Sequence, residues 1–235
     1  LVTIYSNLDR FGVSGAYLEG LKWIEMLEAN HSLSQKEEWQ VNEMKALLLN
    51  ERGNQDEFLP IWYKLLKQYR EADRPEDVGK CLLTIANHFI MLEDYENALP
   101  LYKEAYQLAL EHKSIELQQV SGIMLIKYLC GAGYYSESLE YYNKIKPEIA
   151  FNPSMQNEVV KSYMELNKPD SARIYLAARL LSERGDKIVL NCMMAETYIP
   201  EGQEDSAFVF LDRAMKSYKE KAKNYQKQGR EAILP

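Results

Sequence analysis

Phe58-Leu59-Pro60-Ile61-Trp62 returns forty residues later as Ala98-Leu99-Pro100-Leu101-Tyr102, and forty further on as Ser138-Leu139-Glu140-Tyr141-Tyr142. Steps of 34 and 35 residues then bring Ala172-Arg173-Ile174-Tyr175-Leu176 and Ala207-Phe208-Val209-Phe210-Leu211. Five linked copies mark a stacked repeat array, in which each unit hides its apolar face only against its neighbours. Such an array offers an extended surface instead of a closed pocket, which points to binding more than to chemistry.

Each copy reads as two helices. In the second repeat Leu82, Ile85, Ala86, Phe89 and Ile90 follow the spacing of one buried helical stripe. Glu93-Asp94 interrupts it, and Ala98, Leu101, Tyr102, Ala105 and Leu108 form the next stripe. The fifth repeat repeats the plan with Leu190, Met194, Ala195 and Tyr198, a break at Pro200-Glu201-Gly202, then Ala207, Phe210, Leu211 and Ala214. Turn residues stand at Gly53-Asn54, Gly131 to Gly133, Lys168-Pro169 and Gly185-Asp186. Pro60 and Pro100 fall a few residues beyond a turn, where a missing N–H costs least. Strands have no comparable support, because long apolar–polar alternation and Asn-Gly or Asp-Gly turns are absent.

These residues resemble the tetratricopeptide repeat family over roughly residues 39 to 220. Its unit pairs a small residue on the first helix with another twelve positions later, as Ala86 with Ala98 and Ala195 with Ala207. Phe89, Tyr163 and Tyr198 match its aromatic position. Trp62, Tyr102, Tyr142, Leu176 and Leu211 match its large one, and Ala105 and Ala214 its last small one. Phe58, Ile126 and Arg179 depart from small positions, the closing proline is missing, and the 40-residue steps require longer helices or loops. The resemblance implies an all-α, right-handed superhelical solenoid. Residues 1–235 then form one array: a partial leading repeat over 1–38, five repeats over 39–214, and an extended C-terminal helix over 215–235. Tyr17, Leu18, Leu21, Ile24, Met26 and Leu27 read as the helix of the leading unit. In the last helix Met215, Tyr218, Ala222 and Tyr225 form an apolar stripe expected to rest on the repeats as a cap.

The chain is 46% hydrophobic and 27% charged, ordinary for a protein that buries a core. Its net charge of −7 is uneven: five lysines and one arginine after Met215 face only Glu220 and Glu231. An acidic body argues against nucleic-acid binding by the repeats. Apolar runs fall short of the ~18 residues of a membrane span. The chain opens on Leu1 instead of Met, so a leader could have been removed and a cell-envelope location stays open. Cys81, Cys130 and Cys192 read as buried hydrophobes, odd in number and without metal-ligand spacing, which favours a reducing, cytoplasmic setting.

Catalytic signatures are missing: there is no H-E-x-x-H, no G-x-S-x-G, no Walker-type loop and no strand-linked G-x-G-x-x-G. No cofactor is implied. His31, His88 and His112 lie far apart, and His88 reads as a satisfied structural histidine. Gly131-Ala132-Gly133 reads as a helix stop, Glu37-Glu38 and Asp56-Glu57 as solvated helix-start charges, and Trp62, Tyr102 and Tyr142 as core.

The resemblance places a concave groove along first-helix residues that do not join the core. By register these are Lys80, Leu83 and Asn87, then Val120, Ile123 and Lys127, then Asn157, Lys161, Val189 and Glu196. Asn can pin a peptide backbone and Lys supplies point charge for carboxylates, so the expected partner is a protein or peptide of acidic character. Val120 and Ile123 stand where the family's carboxylate clamp needs polar residues, which argues against a chaperone adaptor. Three readings compete: a peptide-binding scaffold, the sensor or oligomerisation arm of a larger transcriptional or membrane-linked regulator, and an enzyme. The third lacks a cluster of titratable groups.

Overall fold

A computed structural model describes residues 16–51, 55–145, 155–182 and 186–227. Among them are eleven α-helices and no strand. They are α1 (Ala16–Asn30), α2 (Gln35–Glu51), α3 (Gln55–Glu71), α4 (Pro75–Met91), α5 (Tyr95–Glu111), α6 (Ile115–Gly131), α7 (Tyr135–Lys144), α8 (Gln156–Glu165), α9 (Pro169–Leu181), α10 (Lys187–Glu196) and α11 (Glu204–Lys227). A single 3-10 turn, Ile199–Glu201, separates the last two.

The forty-residue step has a simple origin. Helices α2 to α6 are each 17 residues long, and three-residue turns join α3 through α7. The step comes from longer helices, since the loops stay short. Each turn ends its helix in one way. The central residue adopts positive φ at Asp73, Glu93, Lys113 and Gly133. The following N–H reaches back to a carbonyl five residues earlier, as Asp94 to Phe89 and Tyr134 to Leu129, both closing the Schellman pattern. Asn167 and Gly202 occupy the same place later in the chain. Two of these six residues, Glu93 and Lys113, carry side chains that the left-handed region disfavours, and the turn at Lys113 has neither Gly nor Pro beside it, so a search for those residues misses it.

Helix starts are capped in familiar ways. At the start of α2 the Ser34 N–H and hydroxyl both donate to the Glu37 carboxylate, at 2.8 and 2.6 Å, which is the glutamate half of a capping box. Asp94 and Asp186 accept from the N–H groups of Asn97 and Ile188. Pro60 and Pro100 both occupy the sixth residue of their helices, beyond the free N–H groups of the first turn. Each therefore removes one ladder bond. Both rings are solvent-exposed, so water can reach the backbone there. The expected turns at Gly53-Asn54 and at Gly185, and the side chains of Tyr17 and Asp56, lie outside the described residues.

The chain divides into two compact units, residues 1–121 and 122–235. In the first, Ala46, Leu65, Leu82, Ile85 and Ala105 are fully buried in a core continuous with Trp62 and Tyr69. Ala86 and Ala98 are both fully buried, in keeping with a close crossing of α4 and α5. Trp39 meets Tyr69 edge-on at 4.9 Å, with Arg74 over both rings. His88 is buried against Phe58 at 5.1 Å, yet neither ring nitrogen has a partner. The expectation of a satisfied histidine is thus corrected: the ring is a packing element, and burial alone pulls its pKa below the ordinary value.

The second unit is held differently. The Ser138 hydroxyl donates to the Ile126 carbonyl at 2.8 Å, joining α7 to α6 at positions twelve apart. Arg179, at a position the repeat reserves for small residues, is only 1% exposed. The oxygen of the Gln156 amide, turned toward the guanidinium, accepts from its Nε at 3.2 Å. Arg173 pins α9 to the α10–α11 junction. It donates to the Thr197 carbonyl at 2.7 Å, pairs with Asp170 and Glu201, and lies 4.0 Å over the Tyr198 ring.

In α11 the buried residues are Ala207 and Ala214, and Phe210 stacks on Tyr198 at 5.7 Å. Met215, Tyr218 and Tyr225 are exposed, contrary to the capping expectation. The reason is rotational. The stripe of residues 207, 210 and 214 lies one residue, about 100° of helix, away from the stripe of 208, 211 and 215. The far half of α11 is held by Lys221, which donates to Asp186 at 3.0 Å and lowers that carboxyl's pKa.

Candidate functional site

Each unit carries a hollow on the face of its first helices. In the first unit Glu76, Lys80, Leu83, Ser114, Glu116, Leu117 and Val120 surround about 300 Å³. Three of these, Lys80, Leu83 and Val120, were expected from register. The signal for the rest was available: Glu76 lies four residues before Lys80, and Glu116 four before Val120, each pair sharing a face. With two glutamates beside one lysine, and Lys80 within 3.9 Å of Asp77, this hollow is acidic.

The second unit gathers more. Asn157, Lys161, Val189 and Glu196, all expected, line one hollow of about 590 Å³ together with Val160, Met164, Ile188, Cys192, Met193 and Thr197. Its floor is apolar, since Val160 and Met193 also belong to the buried core of α8, α9 and α10. Its rim carries one cation and one anion. Lys161 sits 5.9 Å from the centre of the Tyr135 ring, so its ammonium is held near an aromatic face. Val189 is 47% exposed, an apolar side chain presented to solvent at the mouth.

Asn87, Ile123 and Lys127 lie outside both hollows. The Asn87 carbonyl oxygen accepts from the Tyr102 hydroxyl, so this amide braces the α4–α5 pair. Ile123 is half-buried against Ile126, Ile145 and Met155. Lys127 is exposed and rests over the ring of Tyr128 at 5.3 Å.

The cysteines separate into two kinds. Cys81 and Cys130 are buried, and burial pushes the Cys81 thiol up to about 12 and raises that of Cys130. Cys192 is half-exposed and lines the hollow of the second unit, which corrects the reading of all three as core. The buried face of α10 runs through Leu190, Met193 and Met194, and Cys192 falls beside it, three residues from Val189 and four from Glu196. Among the described residues no group of three or more His, Cys, Asp or Glu could hold a metal. None of the described helices is long and apolar enough to cross a membrane.

No protein-family model and no curated protein matches the sequence. Solved structures do match. One is a Signal Transduction ATPase with Numerous Domains with a tetratricopeptide repeat sensor, from Pyrococcus horikoshii. It superposes with a TM-score of 0.69 at 18% identity, over 93% of this chain and 36% of that one. The fold is tetratricopeptide-like. Aspartyl phosphate phosphatase F from Bacillus subtilis matches with a TM-score of 0.55 at 13% identity, over 92% of this chain and 57% of its own. BtubC from P. vanneervenii gives 0.54 at 18% identity, over 77% and 79%. This chain therefore spans about a third of the P. horikoshii protein and little more than half of the phosphatase. At these identities the likeness is one of fold.

Proposed function

We propose that the chain is a non-catalytic scaffold that binds a protein or peptide segment, and that the hollow of the second unit receives it. The observation that carries this reading is convergence. Asn157 and Lys161 on α8 meet Val189 and Glu196 on α10 around an apolar floor, the mixture of apolar surface and few polar groups that ligand sites share. An extended segment would lay an apolar side chain on Val160 and Met193, a backbone amide against Asn157, and a carboxylate toward Lys161. Lys127, in the same unit, would add to the attraction for an acidic partner.

The test is selection from a displayed random-peptide library with the full chain, followed by calorimetric titration of the recovered peptides. The reading expects an apolar residue beside an acidic one in those sequences. Val189→Asp should abolish binding, and Lys161→Glu should weaken it about tenfold while helical content stays constant. Peptides that bind both variants like the parent chain would defeat it.

A second reading, the sensing or oligomerisation arm of a larger regulator, draws support from the fold shared with the P. horikoshii protein, whose tetratricopeptide repeats are a sensor. The encoded sequence on either side of this chain separates the two.

A further inference from the structure

The outer face of α11 is apolar along its length. Phe208 is 65% exposed, Leu211 42%, Met215 52%, Tyr218 41% and Tyr225 39%, with the half-buried Ala222 between the last two. Their spacing is 3-4-3-4-3, the a and d positions of a heptad sustained through two and a half repeats. It is also a second stripe on a helix whose first stripe, Ala207, Phe210 and Ala214, already packs within its own unit. Solitary exposed hydrophobes need no explanation, but five large ones along a single stripe do.

We propose that this face pairs with the same face of a second copy of the chain, the two α11 helices lying antiparallel about a twofold axis near residues 216 and 217. Two features select that occupant. A 3-4-3-4-3 spacing reads identically in both directions, so a twofold axis sets Phe208 against the partner's Tyr225, Leu211 against the partner's Ala222, and Met215 against the partner's Tyr218. An isologous interface needs this self-complementarity, and each layer pairs an aromatic, or a large residue with a small one.

The second feature is charge. The first half of α11 holds Glu204, Asp205 and Asp212 against Arg213. The second half holds Lys216, Lys219, Lys221, Lys223 and Lys227 against Glu220. Parallel pairing would set the two basic halves side by side. Antiparallel pairing lays each basic half on an acidic one and brings Asp212 near the partner's Lys219 at the edge of the seam. The proposal does not depend on the groove reading.

The experiment is analytical ultracentrifugation of the full 235-residue chain across a concentration series, with helical content followed by circular dichroism. A dimer is expected whose dissociation constant rises severalfold as salt increases from low to high ionic strength. Leu211→Asp, at an exposed site, should raise it about tenfold or more without loss of helix. Asp212→Lys should weaken the dimer about threefold or more, and adding Lys219→Asp should restore it. Mixed chains carrying Phe208→Cys and Tyr225→Cys should cross-link to each other, and neither to itself. A monomer at every concentration overturns the proposal, including one in which residues 228–235 cover the stripe of their own chain. A dimer indifferent to Leu211→Asp, or one in which Phe208→Cys chains cross-link to themselves, overturns it equally.

Discussion

The two units reach the same helical-repeat fold by different means. In the first, the period is strict from α2 onward and the interior is mostly hydrocarbon and aromatic: 17-residue helices, three-residue turns after α3, and Ala86 with Ala98 fully buried. In the second the described helices of the last two repeats shorten to 10 and 13 residues before α11, and two arginines do structural work. Arg179 lies inside the core, and Arg173 ties α9 to the next junction. The hollows differ in the same sense. The acidic one lies in the regular unit, and the apolar, charge-balanced one lies where helices are short. Regular packing leaves few side chains to spare. Irregular packing exposes Val189 and Cys192 beside a core floor.

The sharpest way to break this contrast is to overpack the regular unit. Ala98→Leu should cost about 1–3 kcal/mol, because two helices in close contact must separate. Ala29→Leu, at an exposed position near the end of α1, should change stability by less than about 0.5 kcal/mol. Equal thermal tolerance of both would show that α4 and α5 do not cross where the repeat places them.

Next comes the arginine of the second unit. Arg173→Ala removes a partly buried side chain that makes several charge-assisted bonds, and about 1.5 kcal/mol of destabilisation is expected by denaturant unfolding. Arg70 pairs with Glu104 in the first unit, but both are about half exposed, so Arg70→Ala should be close to neutral. If the two changes cost the same, the distinction between a pinned unit and an apolar one fails.

The turns give a smaller, signed comparison. Gly133→Ala should cost about 1 kcal/mol, since φ there is +84°. Glu93→Gly should be neutral or stabilising by a few tenths of a kcal/mol, relief of the left-handed position offsetting the flexibility gained by the unfolded chain. Loss of stability in Glu93→Gly as large as in Gly133→Ala would mean that the glutamate side chain contributes something the geometry does not show.

The smallest expected effect is a response to pH that resides in the first unit. His88 has a folded pKa below the ordinary imidazole value of about 6.5, so the unfolded chain takes up the proton first. Stability from this group is complete above that value. It falls as pH drops through the window down to the lowered folded pKa, and then levels off. His88→Leu should flatten the melting temperature over that window, and an unchanged slope would assign it to other groups.

Much of this was legible in the sequence. The positions twelve apart that hold Ala86 and Ala98, or Ile126 and Ser138, follow from the repeat register and the resemblance it carries, and the structure buries all four. The same register, carried over from the resemblance, put Asn157, Lys161, Val189 and Glu196 on one face, and the structure brings them to one hollow. Repetition supplies that knowledge: one register, set by Phe58 to Trp62, is checked four more times along the chain. Three things were decided only in three dimensions. Cys192 and Met215 depend on helix rotation of about 100°, which an apolar residue beside a stripe does not reveal. Asn87 was spent on Tyr102, a partner fifteen residues away on another helix. Arg179 could be buried because Gln156 came to meet it, and a charge loses its desolvation cost only through partners that the folded chain assembles.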